Sequence, residues 1–270
     1  IILDKYGKFK ESIKHAVEEF RKIDKRETIR IVSHLDCDGI TACAILTKAL
    51  NYENRRYSIS ILQQLNQRVI NELSKENYST FIFTDLGSGL ASTINKKLGD
   101  RKVFIFDHHE LDSKAKEDIV HINPHFQGID GSKEISGSGV VYLFAKELNK
   151  KNENMAHIAL IGAIGDIQEE DGFKNLNNEI LKKAVSQEHI KVRKGLKVFG
   201  SQTKPLHKIL EYSSDTHIPG VSGSESGAIQ FLQQVGINPK RGNDWRKLVQ
   251  LTDDEMKKLI AAIVMKRCDE

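Results

Sequence analysis

Short apolar runs alternate with stretches of helical spacing along the first half of this chain, and that alternation restricts it to one fold class. Thr28-Ile29-Arg30-Ile31-Val32, Tyr57 to Leu62, Thr80-Phe81-Ile82-Phe83 and Lys102 to Phe106 read as strands, with Ile119 to Ile122 a further short one. Residues 39–51, 66–75 and 89–98 between them read as helices. Strands separated by helices of about 10–15 residues are βαβ units, which build a parallel sheet with helices on both faces. Val103 to Phe106 is continuously apolar, as a strand covered on both sides requires. Phe9, Ile13, Val17, Phe20 and Ile23 mark an amphipathic helix over 9–24. Residues 138–149 and 154–165 are further helices, the second so apolar that it is expected to be buried.

The chain changes character near residue 186. Residues 189–204 are rich in Lys and Arg with interspersed Gly, and helices are expected at about 224–235 and 253–266. Thr252-Asp253-Asp254-Glu255 has capping-box spacing ahead of the second. Its Met256, Leu259, Ile260, Ile263 and Val264 form an apolar face, expected either to pack back on the main domain or to await residues beyond this sequence. Domains are expected over 1–200 and 201–270. No apolar run approaches the roughly 20 residues needed to span a bilayer. Cys37, Cys43 and Cys268 are odd in number and form no CxxC pair, which fits a reduced, cytoplasmic protein rather than a disulfide framework or zinc ribbon. The net charge of +4 tolerates a polyanionic partner without demanding one. The start, Ile1-Ile2-Leu3, has no signal-peptide layout and no initiator Met, so the first residues are expected to be missing.

Four clusters of acidic or imidazole residues each follow an apolar segment. His34, Asp36 and Asp38 follow the first strand, Asp85 the third, and Asp107-His108-His109 the fourth, while Gly165-Asp166 ends the apolar helix. Parallel strands deliver their carboxyl ends to one rim, where open α/β sheets bind ligands. Asp36, Asp38, Asp85 and Asp166 would place four negative charges there, and carboxylates so close repel unless cations intervene. Two divalent ions cancel that charge. Oxygen-rich ligation with one or two imidazoles favours manganese or magnesium over zinc. Such a pair activates water near neutral pH and polarises a phosphoryl oxygen, so metal-assisted phosphoester hydrolysis is the reaction class. Taken singly, each cluster has a plainer reading: Asp36 and Asp85 as helix caps, His108-His109 as a structural pair, Asp166 as a turn residue. Four such events in register at the correct ends of alternating elements point instead to a shared site.

In these residues the chain resembles the DHH phosphoesterase superfamily. The ordered motifs are D-x-D-G (Asp36, Asp38, Gly39), a lone Asp after a strand (Asp85), Asp107-His108-His109, and a late G-D (Gly165, Asp166). The resemblance implies that Asp36 holds one metal and Asp38 the other, with Asp85 bridging and His108 and Asp166 completing the second site. His34 stands two residues before Asp36, where the small-phosphate branch places a ligand His four before; it is expected on the first metal. His109 is expected to face the phosphate, with Asp107 orienting a ligand. Ile135 to Val141 looks like the family's glycine-rich segment. Gly137, Ser138 and Gly139 open a helix there, and their N–H groups are expected to meet phosphate; a capped helix start with glycines for close packing is the alternative.

Within the superfamily the chain is most similar to the archaeal RecJ-like exonucleases, including the GINS-associated nuclease. Ile122-Asn123-Pro124-His125, Leu196 to Phe199 and Ile218 to Gly227 carry that likeness, and His125 is expected among the substrate-binding residues. The family's C-terminal GGGH-like motif is absent, so residues 201–270 are expected to begin a helical insert ahead of a missing substrate-binding domain. The resemblance implies a manganese- or magnesium-dependent exonuclease acting on single-stranded DNA and RNA in replication or repair. The alternatives are a phosphodiesterase for short oligonucleotides or cyclic dinucleotides, and a scaffold that binds GINS and the replicative helicase. His189, Lys191, Arg193, Lys194, Lys197 and Lys204 either line a groove along a phosphodiester backbone or form a solvated face. With aromatics at 7% and no basic-aromatic ribbon, a sequence-specific reader is not expected.

Overall fold

The computed structural model describes residues 4–112, 119–170, 172–192, 195–196, 198, 200–213 and 217–268. The chain divides into two compact units, Ile1–Lys191 and Val192–Glu270.

In the first unit, α1 (Lys5–Arg21) leads into β1 (Thr28–His34), α2 (Cys37–Tyr52), β2 (Arg56–Leu62), α3 (Gln67–Leu73), β3 (Thr80–Thr84), α4 (Ala91–Leu98), β4 (Lys102–Phe106) and β5 (Val120–Ile122). Three helices follow: α5 (Gly137–Leu148), α6 (Ala156–Gly165) and α7 (Asn175–Ser186). The strands form one parallel sheet in the order β2-β1-β3-β4-β5. Alternation along β3 and β4 divides the core. Ile82, Phe104 and Phe106 join the apolar faces of α1, α2 and α5, whereas Phe81, Phe83, Val103 and Ile105 pack with Ile70, Leu73, Ile94 and Leu98 of α3 and α4. Burying each such Phe is worth about 1.5–3 kcal/mol over leaving it exposed. Phe106 lies 4.5 Å from Phe144 of α5, ring centre to ring centre, which ties the sheet to the helix carrying the glycine-rich segment. β2 is an edge strand, and its Ile59 and Ile61 are exposed.

Two expectations are corrected within this unit. The apolar α6 is not buried all round: Ala159, Leu160 and Ala163 face the core, but Ile161 and Ile164 are each about half exposed. Their outward face follows from packing small residues against α2, where Gly162 and Gly165 allow close approach. Helix α7 was not anticipated, because its Asn-rich first turn masks the Leu176, Ile180 and Ala184 spacing that seats it.

The second unit contains α8 (Leu206–Glu211), α9 (Glu225–Gln234), a two-stranded hairpin of β6 (Lys240–Arg241) and β7 (Asp244–Trp245), and α10 (Asp253–Cys268). Leu259 and Ile263 are buried in this unit's own core with Leu206, Leu210, Phe231 and Leu232, while Val264 stays exposed. Glu255 and Thr252 close the anticipated capping box, with the Thr252 N–H donating to Glu255 at 2.8 Å and the Glu255 N–H to the Thr252 hydroxyl at 3.2 Å. No helix among the described residues is long and apolar enough to cross a membrane. Arg193, Lys194 and Lys197 of the basic run, and Phe199, lie outside the described residues.

Candidate metal centre

The strand order reverses between β1 and β3, and the clustered residues gather at the carboxyl ends around that switch point. His34 is the last residue of β1, and Asp36 caps α2 by accepting the Gly39 N–H at 2.9 Å. Asp38 sits in the first turn of α2, and Asp85 follows β3 at φ 59°, a left-handed conformation uncommon for a residue with a side chain. Asp107 follows β4, and Asp166 ends α6. Gly39 is required here, since a Cβ would overlap the His34 carbonyl oxygen.

Besides a group of Asp85, Asp107, His108 and His109, two groups of ligand-type atoms result, His34 with Asp36 and Asp85, and Asp38 with His108 and Asp166. Asp85 stands between them: its Oδ2 is 3.5 Å from His34 Nδ1 and its Oδ1 is 3.2 Å from His108 Nε2. The other contacts are His34 Nδ1 to Asp36 at 2.8 Å, and His108 Nε2 to Asp166 at 3.1 Å and to Asp38 at 3.7 Å. Both imidazoles are held in the same way. His108 Nδ1 donates to the Gly131 carbonyl at 2.8 Å, and His34 Nε2 to that of Gln63 at 3.2 Å. The opposite ring nitrogen of each therefore faces carboxylates. Those two nitrogens and both Asp85 oxygens are buried without a hydrogen-bond partner. Four orphaned atoms of complementary type, converging from separate elements, fit divalent cations.

The electrostatics agree. Burial pushes the Asp85 carboxyl well above its ordinary range, with Asp38 and Asp107 adding repulsion. Burial likewise raises Asp38, against the pull of His108. Burial alone would lower His108, but the Asp166 and Asp85 carboxylates outweigh it and hold the imidazole well above its usual value. Burial also opposes ionisation of Asp36, yet the Gly39 N–H and His34 keep it below the usual carboxylate range. The raised values of Asp38, Asp85 and His108 favour positive charge among these carboxylates, as a cation or a proton, while Asp36 is kept ionised beside them.

Asp107 has a different function. Fully buried, it accepts from the Ser88 N–H and the His108 N–H, both at 2.8 Å, and from His109 Nδ1 at 2.8 Å. These bonds overcome burial and depress its pKa strongly, and in return they raise that of His109. His109 is half exposed, with Nδ1 committed to Asp107 and Nε2 left for another partner.

One expectation about substrate contacts is corrected. Gly137 and Ser138 do not offer free N–H groups to a phosphate: both donate to the Asp38 carboxylate, at 2.6 and 3.0 Å, and the Gly139 N–H donates to Ser136. The start of α5 serves the buried Asp38, the nearest anion, and its field partly offsets that charge. His125 turns Nε2 to the His108 carbonyl at 3.1 Å, steadying the loop. Other supporting residues were assigned no role by the sequence, although Asn123 falls within the Ile122–His125 motif. Gly131 O accepts from Gln168 as well as His108, and Asn177 in turn donates to Gln168. Asn123 donates to Ser88 and to the His109 carbonyl. Isolated polar loop residues have no periodicity to betray them.

Carboxylates and imidazoles gathered at the carboxyl ends of a parallel sheet are able to hold metal ions. Residues 28–165 match the DHH family, N-terminal domain, and residues 198–270 match the DHH-CID domain. The chain belongs to the DHH family of phosphoesterases. An uncharacterized protein of Methanocaldococcus jannaschii is 34% identical over 244 residues, 88% of this chain and 53% of that protein. The chain thus spans about half the length of this curated relative. Among solved structures, CDC45 from Entamoeba histolytica aligns with TM-score 0.60 at 15% identity, covering 97% of this chain and 56% of that one. RecJ from Thermus thermophilus in complex with Mn2+ aligns with TM-score 0.53 at 16% identity, covering 96% and 38%. At these identities the likeness is one of fold, and it is RecJ-like.

Proposed function

We propose that this chain carries a manganese-dependent phosphodiesterase centre that removes nucleotides from the ends of single-stranded DNA and RNA. The observation that carries the reading is Asp85, buried and unsatisfied, with one oxygen turned to each of two ligand groups. His34 and Asp36 would hold one ion, and Asp38, His108 and Asp166 the other, with Asp85 shared. Oxygen donors with a single imidazole in each group suit manganese. When bound, such ions lower the pKa of water and polarise a phosphoryl oxygen. The remaining chemistry belongs to the chain's own residues. His34 and His108 keep their ligand nitrogens aimed by anchoring the other nitrogen to backbone carbonyls. Asp107 holds His109 protonated and turns Nε2 toward the reacting phosphate, where it donates to a phosphoryl or departing oxygen. The DHH family membership and the fold shared with RecJ support a nuclease over other phosphoesterases.

The test is hydrolysis of an end-labelled single strand and of the same strand in duplex, with and without manganese. Stepwise release of mononucleotides from the single strand, only with the metal, is expected. Metal-independent cleavage or internal cuts alone would overturn the reading, and preference for two- to five-nucleotide substrates would favour the short-oligonucleotide alternative.

A further inference from the structure

Beside the carboxylate–imidazole cluster lies a cleft of about 600 Å3, within the range of about 300–1,000 Å3 usual for small-molecule sites. Its inner end is formed by His34, Asp85, Asp107 and His109. Its walls are the β2–α3 connection, Gln63 to Gln67, and residues 86–90 after β3. Leu65, Leu86 and Leu90 supply apolar surface, and Gly87 and Gly89 expose flat backbone. Among the described residues no Lys or Arg lines it, so these described walls offer a chain of phosphates no counter-charge. The polar groups beyond the cluster are uncharged amides. Asn66 is committed to capping α3 through the Val69 N–H at 3.0 Å, but the side-chain amides of Gln63, Gln64 and Gln67 have no partner among the described residues.

Apolar walls with free amides at the rim suit a neutral, flat heterocycle carrying both donors and acceptors. We propose that this cleft seats a nucleobase, that of the nucleotide whose phosphate lies at the cluster. The proposal rests on the phosphoesterase reading of that cluster. The base lies against Leu65, Leu86 and Leu90, and Gln64 and Gln67 meet its edge. An amide can turn to present either its oxygen or its nitrogen, so the contact is tolerant of base identity. The far wall is held in register with the chemistry, because Asp107 fixes both the Ser88 N–H and His109.

Gly89 provides the test. A Cβ there meets nothing within 4 Å, and its φ is not positive, so a larger residue is accommodated by the backbone and fills the cleft. Isothermal titration of the 270-residue chain with manganese would compare dAMP, 2-deoxyribose 5-phosphate and inorganic phosphate. The base should strengthen binding about tenfold or more over the sugar phosphate, as removing its apolar faces from water would. Gly89→Leu should bring that ratio to about one, and a Gln64→Leu, Gln67→Leu double variant should reduce it even if the glycine variant misfolds. Equal binding of dAMP and sugar phosphate by the unaltered chain overturns the base cleft alone. A ratio that persists in both variants also overturns it, by placing the base elsewhere. Failure of all three ligands, phosphate included, to bind with manganese overturns the phosphoesterase reading together with the proposal.

Discussion

Asp85→Asn preserves the shape of a side chain and removes its charge, and the structure predicts opposite effects on stability with and without manganese. In the metal-free protein this carboxyl is 1% exposed, with neither oxygen hydrogen-bonded and with Asp38 and Asp107 close by. Because its folded pKa is raised, the folded state holds this proton more tightly than the unfolded state does. Asp85 therefore costs least below the ordinary carboxylate pKa, and stability erodes as pH rises from there through the folded value. At pH 8 a buried, unsatisfied polar group costs about 1–3 kcal/mol and more when charged; the amide still carries the polar cost but avoids the excess due to charge, on the order of 1–2 kcal/mol. With roughly 2–4 °C per kcal/mol for a domain of this size, the metal-free variant should melt about 5 °C higher than the unaltered protein. Manganese at a hundred times its Kd adds about 2.7 kcal/mol per site to the unaltered protein. The variant loses the shared ligand and most of that gain, so the order of stability reverses. Differential scanning calorimetry at pH 8, in chelator and in manganese, reads both effects. A variant less stable than the parent in chelator, or an equal manganese gain in both, would refute the electrostatic reasoning.

Three further outcomes are expected. Asp107→Asn removes the negative charge that raises the His109 pKa, so the alkaline limb of the rate profile should move to lower pH, with activity at pH 8 down about 10²-fold or more; an unmoved limb would exclude protonated His109 from the reaction. Gly162→Ala drives a Cβ into Ser138 Oγ and Asp38 Oδ1, so it should cost about 1–3 kcal/mol and weaken manganese binding, both measurable by calorimetry. In the second unit, Arg246 grips Glu255 through bonds of 2.8 and 2.7 Å and lowers its pKa to about 2. A depressed carboxyl contributes stability that is complete above about pH 4.5 and lost as pH falls toward 2. Fluorescence of Trp245, the single tryptophan, should show Arg246→Met weakening this unit by roughly 2 kcal/mol at neutral pH, with the difference vanishing in acid.

The sheet and the convergence of acidic residues were legible because parallel strands leave all their carboxyl ends on one rim. Once Asp36, Asp85 and Asp107 each followed an apolar run, their proximity was a matter of topology rather than of detailed packing. The capping box at Thr252 and Glu255 was legible for the same reason, being set by local spacing alone. What escaped depended on tertiary choice. The N–H groups of Gly137 and Ser138 could serve any nearby anion, and only the packing of α5 on α2 assigns them to Asp38. The apolar content of α6 gave no sign that Ile161 and Ile164 would face outward, since hydropathy without a polar face does not say which side is covered. The Gly131, Gln168 and Asn177 relay joins residues far apart in sequence and adopts no repeat, so nothing in the chain's pattern pointed to it.

The most direct measurement is anomalous diffraction at the manganese edge from crystals of the chain grown with the metal. Two peaks are predicted, one among His34, Asp36 and Asp85 and one among Asp38, His108 and Asp166, with Asp85 contacting both. No peak at the carboxyl ends of β1, β3 and β4, or ions bound only elsewhere on the surface, would contradict the account.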